Sequence, residues 1–157
     1  TKLPLGDGHS YNIVGTIDRI DEMPDGLVRI VDYKTGSDKI AVDNAEELTK
    51  DSDTKPHNKG VLQLFLYCNM HSQDREYDGP IWPMLYVMKM IFTSGLSPVT
   101  IEKKPLMNYR EWNETVMGEL NAKLIELFDA ATPFIPSPSQ NHCRYCDLKH
   151  ICGLSPV

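Results

Sequence analysis

Asp18, Asp32 and Lys34 are the side chains of this sequence whose types and spacing suit catalysis. Asp32 and Lys34 flank Tyr33 inside LVRIVDYKT (27–35), a β-branched and aromatic run that predicts a strand. Strand side chains alternate, so Asp32 and Lys34 share a face. Met23-Pro24-Asp25-Gly26 reads as a turn: proline presets φ and glycine allows a positive φ. Folding about it sets Asp18, in SYNIVGTIDRIDE (10–22), roughly opposite Asp32. Two carboxylates about 4–6 Å apart repel and raise one another's pKa unless a cation joins them. Mg²⁺ or Mn²⁺ suits such an all-oxygen site. The ion polarises a phosphodiester and acidifies a bound water, and a lysine beside it stabilises the developing anion. The plain alternative is a salt-bridge ladder on the hairpin surface, worth about 0–1 kcal/mol. Ile17, Ile30, Val31 and Tyr33 surround the charges and argue against a freely solvated face.

GTIDRID (15–21) followed by IVDYKTG (30–36) resembles the signature of the PD-(D/E)XK nucleases, and within them the RecB and AddB nuclease domains and CRISPR-associated relatives. The resemblance implies that Asp18 and Asp32 are metal ligands, the Tyr33 backbone carbonyl a further ligand and Lys34 the catalytic lysine. The RecB-like branch adds Gln-x-x-x-Tyr on the following helix, matched by Gln63 and Tyr67. Their i, i+4 spacing puts both on one helix face, able to reach the site or DNA. The family fold begins with a helix bearing a glutamate or histidine. Nothing before Asp18 reads as a helix, and His9 lies in a glycine-rich turn. The chain is therefore expected to be a fragment of a longer protein, with that first helix missing and the fragment's own activity open.

Cys143, Cys146 and Cys152 follow the spacing C-x2-C-x5-C. Thiolates so placed suit Zn²⁺ or an iron–sulfur cluster. The resemblance implies a [4Fe–4S] cluster whose fourth cysteine lies far upstream. Zinc is the alternative, with His142 or His150 as fourth ligand. Either would staple the tail (139–153) to the domain. Cys68, in an apolar run, reads as a buried small hydrophobe.

These groups need a scaffold. Lys2–Leu5, 10–22 and 27–35 are expected as three strands of a β-meander. Residues 37–60 hold few large apolar side chains and read as a solvated, mobile insertion with a short helix near Asn44–Lys50. A buried helix is expected over 61–71, a buried strand over 81–92, another strand over 99–107 and a long amphipathic helix over 109–131. The fold class is α/β (α+β), a restriction-endonuclease-like mixed central sheet flanked by helices, in one domain over 1–157.

The 157 residues are 41% hydrophobic and 24% charged, which excludes a disordered chain or a rod. No apolar run approaches the roughly 20 residues of a membrane helix. The net charge of −6 argues against a partner held by bulk charge. Lys89, Lys103, Lys104 and Arg110, offset by Glu102, leave 89–110 locally basic, as a DNA phosphate contact or a solvated face. The expectation is a cytoplasmic metal-dependent deoxyribonuclease acting on DNA, and the resemblance implies an exonuclease of DNA repair or recombination with a helicase subunit or domain as partner. A non-catalytic DNA-binding scaffold and a zinc-stabilised interaction domain are the alternatives. No P-loop motif is present, so any ATPase lies elsewhere.

Overall fold

The computed structural model describes residues 2–4, 10–49, 58–135, 143 and 146–153. In chain order the elements are β1 (Lys2–Pro4), β2 (Ser10–Asn12), β3 (Arg19–Glu22), β4 (Val28–Lys34), β5 (Ala41–Val42), a 3₁₀ turn (Ala45–Leu48), α1 (Lys59–Asp74), β6 (Ile81–Val87), α2 (Met88–Ser94), β7 (Thr100–Ile101), β8 (Lys104–Pro105) and α3 (Arg110–Phe128). Strands and helices mix as expected, in the manner of a restriction-endonuclease-like α/β fold.

The central sheet has the order β3-β4-β6. The β3–β4 hairpin is antiparallel, and its turn is closed by Met23 N–H donating to the Leu27 carbonyl at 2.9 Å. Gly26 takes φ +83°, which an L side chain would strain. β6 returns parallel to β4, with Asp32 opposite Leu85 and Lys34 opposite Val87. A parallel return needs a crossover, and α1 supplies it. α1 packs on β4 and β6 through Val61, Leu64, Phe65 and Cys68, all fully buried. α3 closes the core through Val116, and its Asn113 exchanges amide hydrogen bonds with Asn69 of α1 at 2.7 and 3.1 Å.

Several expectations change. The single strand over 10–22 is two strands separated by an irregular stretch, and β1–β2 forms its own two-stranded sheet instead of extending a meander. Gly15 weakens pairing there, and Ile13 and Ile17 turn in to the core while Val14 is exposed. The apolar run 81–92 is a strand only to Val87, where β4 ends, and continues as α2 until Gly95 at φ +74°. The strand over 99–107 is the hairpin β7–β8, turned by Glu102 and Lys103 at positive φ. Of the region read as an insertion, 37–49 is folded: β5 pairs with β7, and Val42, Ala45 and Leu48 are buried. Asn44 caps the 3₁₀ turn by accepting from Glu46 N–H at 2.9 Å. Three apolar side chains spaced to one side suffice to anchor a polar stretch. Residues 50–57 lie outside the described residues.

Candidate active site

β4 carries the centre of the site. Ile30 and Asp32 point from one face of β4 toward α1, and both are buried, Asp32 to 2% exposure. Lys34, next on that face, keeps its ammonium 2.9 Å from Asp32 Oδ2. Oδ2 is buried, and the Lys34 ammonium is its charged partner. Burial raises the Asp32 pKa above its ordinary value. The Lys34 charge opposes that shift, and the Asp18 and Asp38 charges add to it.

Asp18 lies just before β3. The pairing of Arg19 with Val31 carries on to set Asp18 opposite Asp32. Its Oδ2 accepts the Tyr33 N–H at 2.9 Å, so the side chain adds a rung where the backbone ladder has stopped. In an extended strand the Tyr33 carbonyl leaves on the same side as its N–H, toward Asp18. Asp18 is solvent-exposed and Asp32 is not, so the pair spans from the surface into the interior.

α1 supplies two more groups. Lys34 Nζ donates to Gln63 Oε1 at 2.7 Å, and Gln63 Nε2 donates to the Tyr67 hydroxyl at 2.6 Å. Tyr67 is buried. A Cβ built on Gly15 would stand 2.9 Å from Tyr67 Cε1, so the stretch before Asp18 rests directly on that ring. Gly60, in the first turn of α1, leaves room for Leu85 and the Lys34 stem, 3.0 and 3.4 Å from where its Cβ would be.

The structure thus brings Asp18, Asp32, Tyr33, Lys34, Gln63 and Tyr67 together. Asp38 joins them as a charge that sequence reasoning missed; it follows the Gly36 turn, in a stretch read as an insertion. Its cue was the position four residues beyond Lys34. The donor set fits a hard divalent ion: two carboxylates, one buried and one exposed, beside a carbonyl edge. Magnesium is commonly held by one or two carboxylates and waters. Among the described residues no three His, Cys, Asp or Glu side chains are grouped to hold a metal. Cys143, Cys146 and Cys152 are therefore not gathered around a common centre there, and all are free thiols. His9 and His142 lie outside the described residues.

Arg110 is exposed, and its guanidinium also ties the end of α1 to the loop before β6. Its guanidinium donates to the Gly79 and Tyr77 carbonyls at 3.2 and 2.9 Å and to Ser72 Oγ at 3.0 Å. Lys89, Lys103 and Lys104 remain exposed. No helix among the described residues is long and apolar enough to cross a membrane.

Comparison with curated proteins and with solved structures gives no match. A family model does match, over residues 2–153, nearly the whole chain. That span includes both strands of the hairpin, the helix behind them and the three cysteines, and its description is the PD-(D/E)XK nuclease superfamily. On that match the chain belongs to the PD-(D/E)XK nuclease superfamily.

Proposed function

We propose that this chain hydrolyses DNA phosphodiester bonds at the Asp18–Asp32–Lys34 site. The observation that carries this reading is the buried Asp32 carboxylate, paired with the Lys34 ammonium and opposite Asp18. Two carboxylates beside one ammonium leave a net negative charge that a divalent cation would offset. Asp18, Asp32 and the Tyr33 carbonyl would hold Mg²⁺ or Mn²⁺, which supplies an acidified water and neutralises charge on the phosphate. Lys34 faces the same space, and its ammonium suits the orientation of the attacking water and the stabilisation of the pentacovalent anion. Asp18, at the exposed end, sets the side from which a phosphate enters.

The Gln63–Tyr67 pair supports assignment to the RecB/AddB-like branch, because it is joined to Lys34 instead of lying elsewhere on α1. With that branch come exonuclease action in repair or recombination and a helicase partner. A cluster or zinc ion on Cys143, Cys146 and Cys152 belongs to the same reading, and the described geometry lends it no support.

The test is cleavage of end-labelled linear DNA with Mg²⁺ or Mn²⁺. Wild type is expected to cleave, with loss of about 10³-fold or more in Asp32→Asn and Lys34→Ala. Equal behaviour of wild type and both variants, with normal melting curves, overturns the hydrolase reading and leaves a DNA-binding scaffold.

A further inference from the structure

The chain of contacts from Gly15 to Lys34 assigns a job to Tyr67. Resting on the nuclease reading above, we infer that Tyr67 is a positioning residue: acting through Gln63, and held by the Gly15 backbone, it fixes the Lys34 ammonium and makes no contact with DNA.

Four observations support this. Tyr67 is buried, at 7% exposure, so its ring is closed to a substrate. Its hydroxyl is engaged by Gln63 Nε2 at 2.6 Å. Lysine has only donors, so Gln63 must turn Oε1 toward Lys34, which leaves its NH₂ for the phenol. Lys34 thereby selects the amide orientation, and the hydroxyl, able to donate or accept, anchors the amide's other end. The flipped amide would confront Lys34 with a donor and release it. The fourth observation is Gly15, whose missing Cβ admits the Tyr67 ring. That stretch runs three residues on into Asp18, so the segment delivering one carboxylate also braces the group that orders the lysine. Lys34 has four side-chain torsions to restrain, and a single ion pair to Asp32 at 2.9 Å is one point of attachment for them. Gln63 adds the second point of attachment.

A substrate-contacting tyrosine and a positioning tyrosine give opposite kinetic splits. The probe is a labelled linear DNA duplex with Mn²⁺, and its affinity is measured separately with Ca²⁺ in place of Mn²⁺. Tyr67→Phe keeps the ring and deletes the hydroxyl. Its kcat is expected to fall about 10-fold with KM and DNA affinity unchanged within about twofold. Gln63→Leu is expected to lose about 100-fold in kcat, and Gln63→Glu, which keeps an acceptor for Lys34, to recover part of that. Gly15→Ala is expected to act on the same element, so that Gly15→Ala combined with Tyr67→Phe costs less than the sum. A second readout needs no turnover. The ¹⁵N signal of the Lys34 ammonium, sharp in wild type while it is hydrogen-bonded, is expected to broaden by solvent exchange in Tyr67→Phe and Gln63→Leu.

A raised KM or weakened DNA binding with kcat preserved in Tyr67→Phe overturns the proposal, as does an unchanged Lys34 signal. Should wild type cleave no DNA, the nuclease reading fails on its own, and the ammonium spectrum alone decides the role of Tyr67.

Discussion

Asp32 concentrates the opposing demands of stability and chemistry in one carboxyl group. Its pKa is raised, chiefly by burial, so the folded chain holds that proton more tightly than the unfolded chain does. Stability therefore falls as pH rises from the ordinary carboxylate range through the folded pKa, and the cost stays constant above it. In chelator at neutral pH, Asp32→Asn is expected to melt a few degrees higher than wild type. Millimolar Mn²⁺ is expected to raise the wild-type Tm and to leave Asp32→Asn unmoved. Scanning calorimetry with and without the ion checks both. A variant that melts lower in chelator would show that the Lys34 pairing outweighs burial. The Asp32–Lys34 pair was legible from sequence because a two-residue period admits one reading once the strand is recognised. Asp38 was not, because a residue beyond a glycine turn has no period to place it.

α1 holds the site together as an element, and its far end carries a second buried ionisable group. His71 is 7% exposed and packs edge-on against Tyr77 at 5.9 Å between ring centres. Burial first, then the nearby Arg75 charge, lower its pKa, against smaller contributions from Glu22 and Asp74. A lowered histidine pKa means that stability is lost as pH falls through the ordinary value near 6.5 toward the folded one. Urea unfolding at pH 7.5 and 5.5 is expected to show a larger loss in wild type than in His71→Gln, and equal losses would remove His71 from the account. The helix itself was legible over 61–71 from composition, and the structure lengthens it to Lys59–Asp74. The junction between β6 and α2 was not legible. Continuous apolar sequence looks the same in a buried strand and a buried helix, and the change at Val87 is set by where β4 stops offering partners.

Across the whole molecule, the core gathers around α1 and the central sheet, while the second half of α3 leaves Ile125, Leu127 and Phe128 exposed. The four thiols divide along the same line. Cys68 is fully buried and its thiol is pushed far up in pKa by that burial, whereas Cys146 and Cys152 are exposed and Cys143 is half-buried. In metal-free native protein, iodoacetamide is expected to label Cys143, Cys146 and Cys152 within minutes and Cys68 only after unfolding. Peptide mass mapping reads this directly, and native labelling of Cys68 would contradict the packing of α1. The tail's spacing was plain in the sequence, but spacing fixes only which thiols are able to meet. The order of layers was also legible in outline. The separate β1–β2 ribbon was not, since alternation alone does not reveal which neighbour a strand chooses.

Asp18 adds a rung to β4 with the same carboxylate that is proposed to hold the ion. Truncating it to alanine strips a rung from the sheet, so an inert Asp18→Ala protein confounds broken chemistry with a frayed strand. Asparagine keeps an oxygen for the Tyr33 amide while surrendering the charge. The clean variant for testing the proposed role of Asp18 is therefore Asp18→Asn.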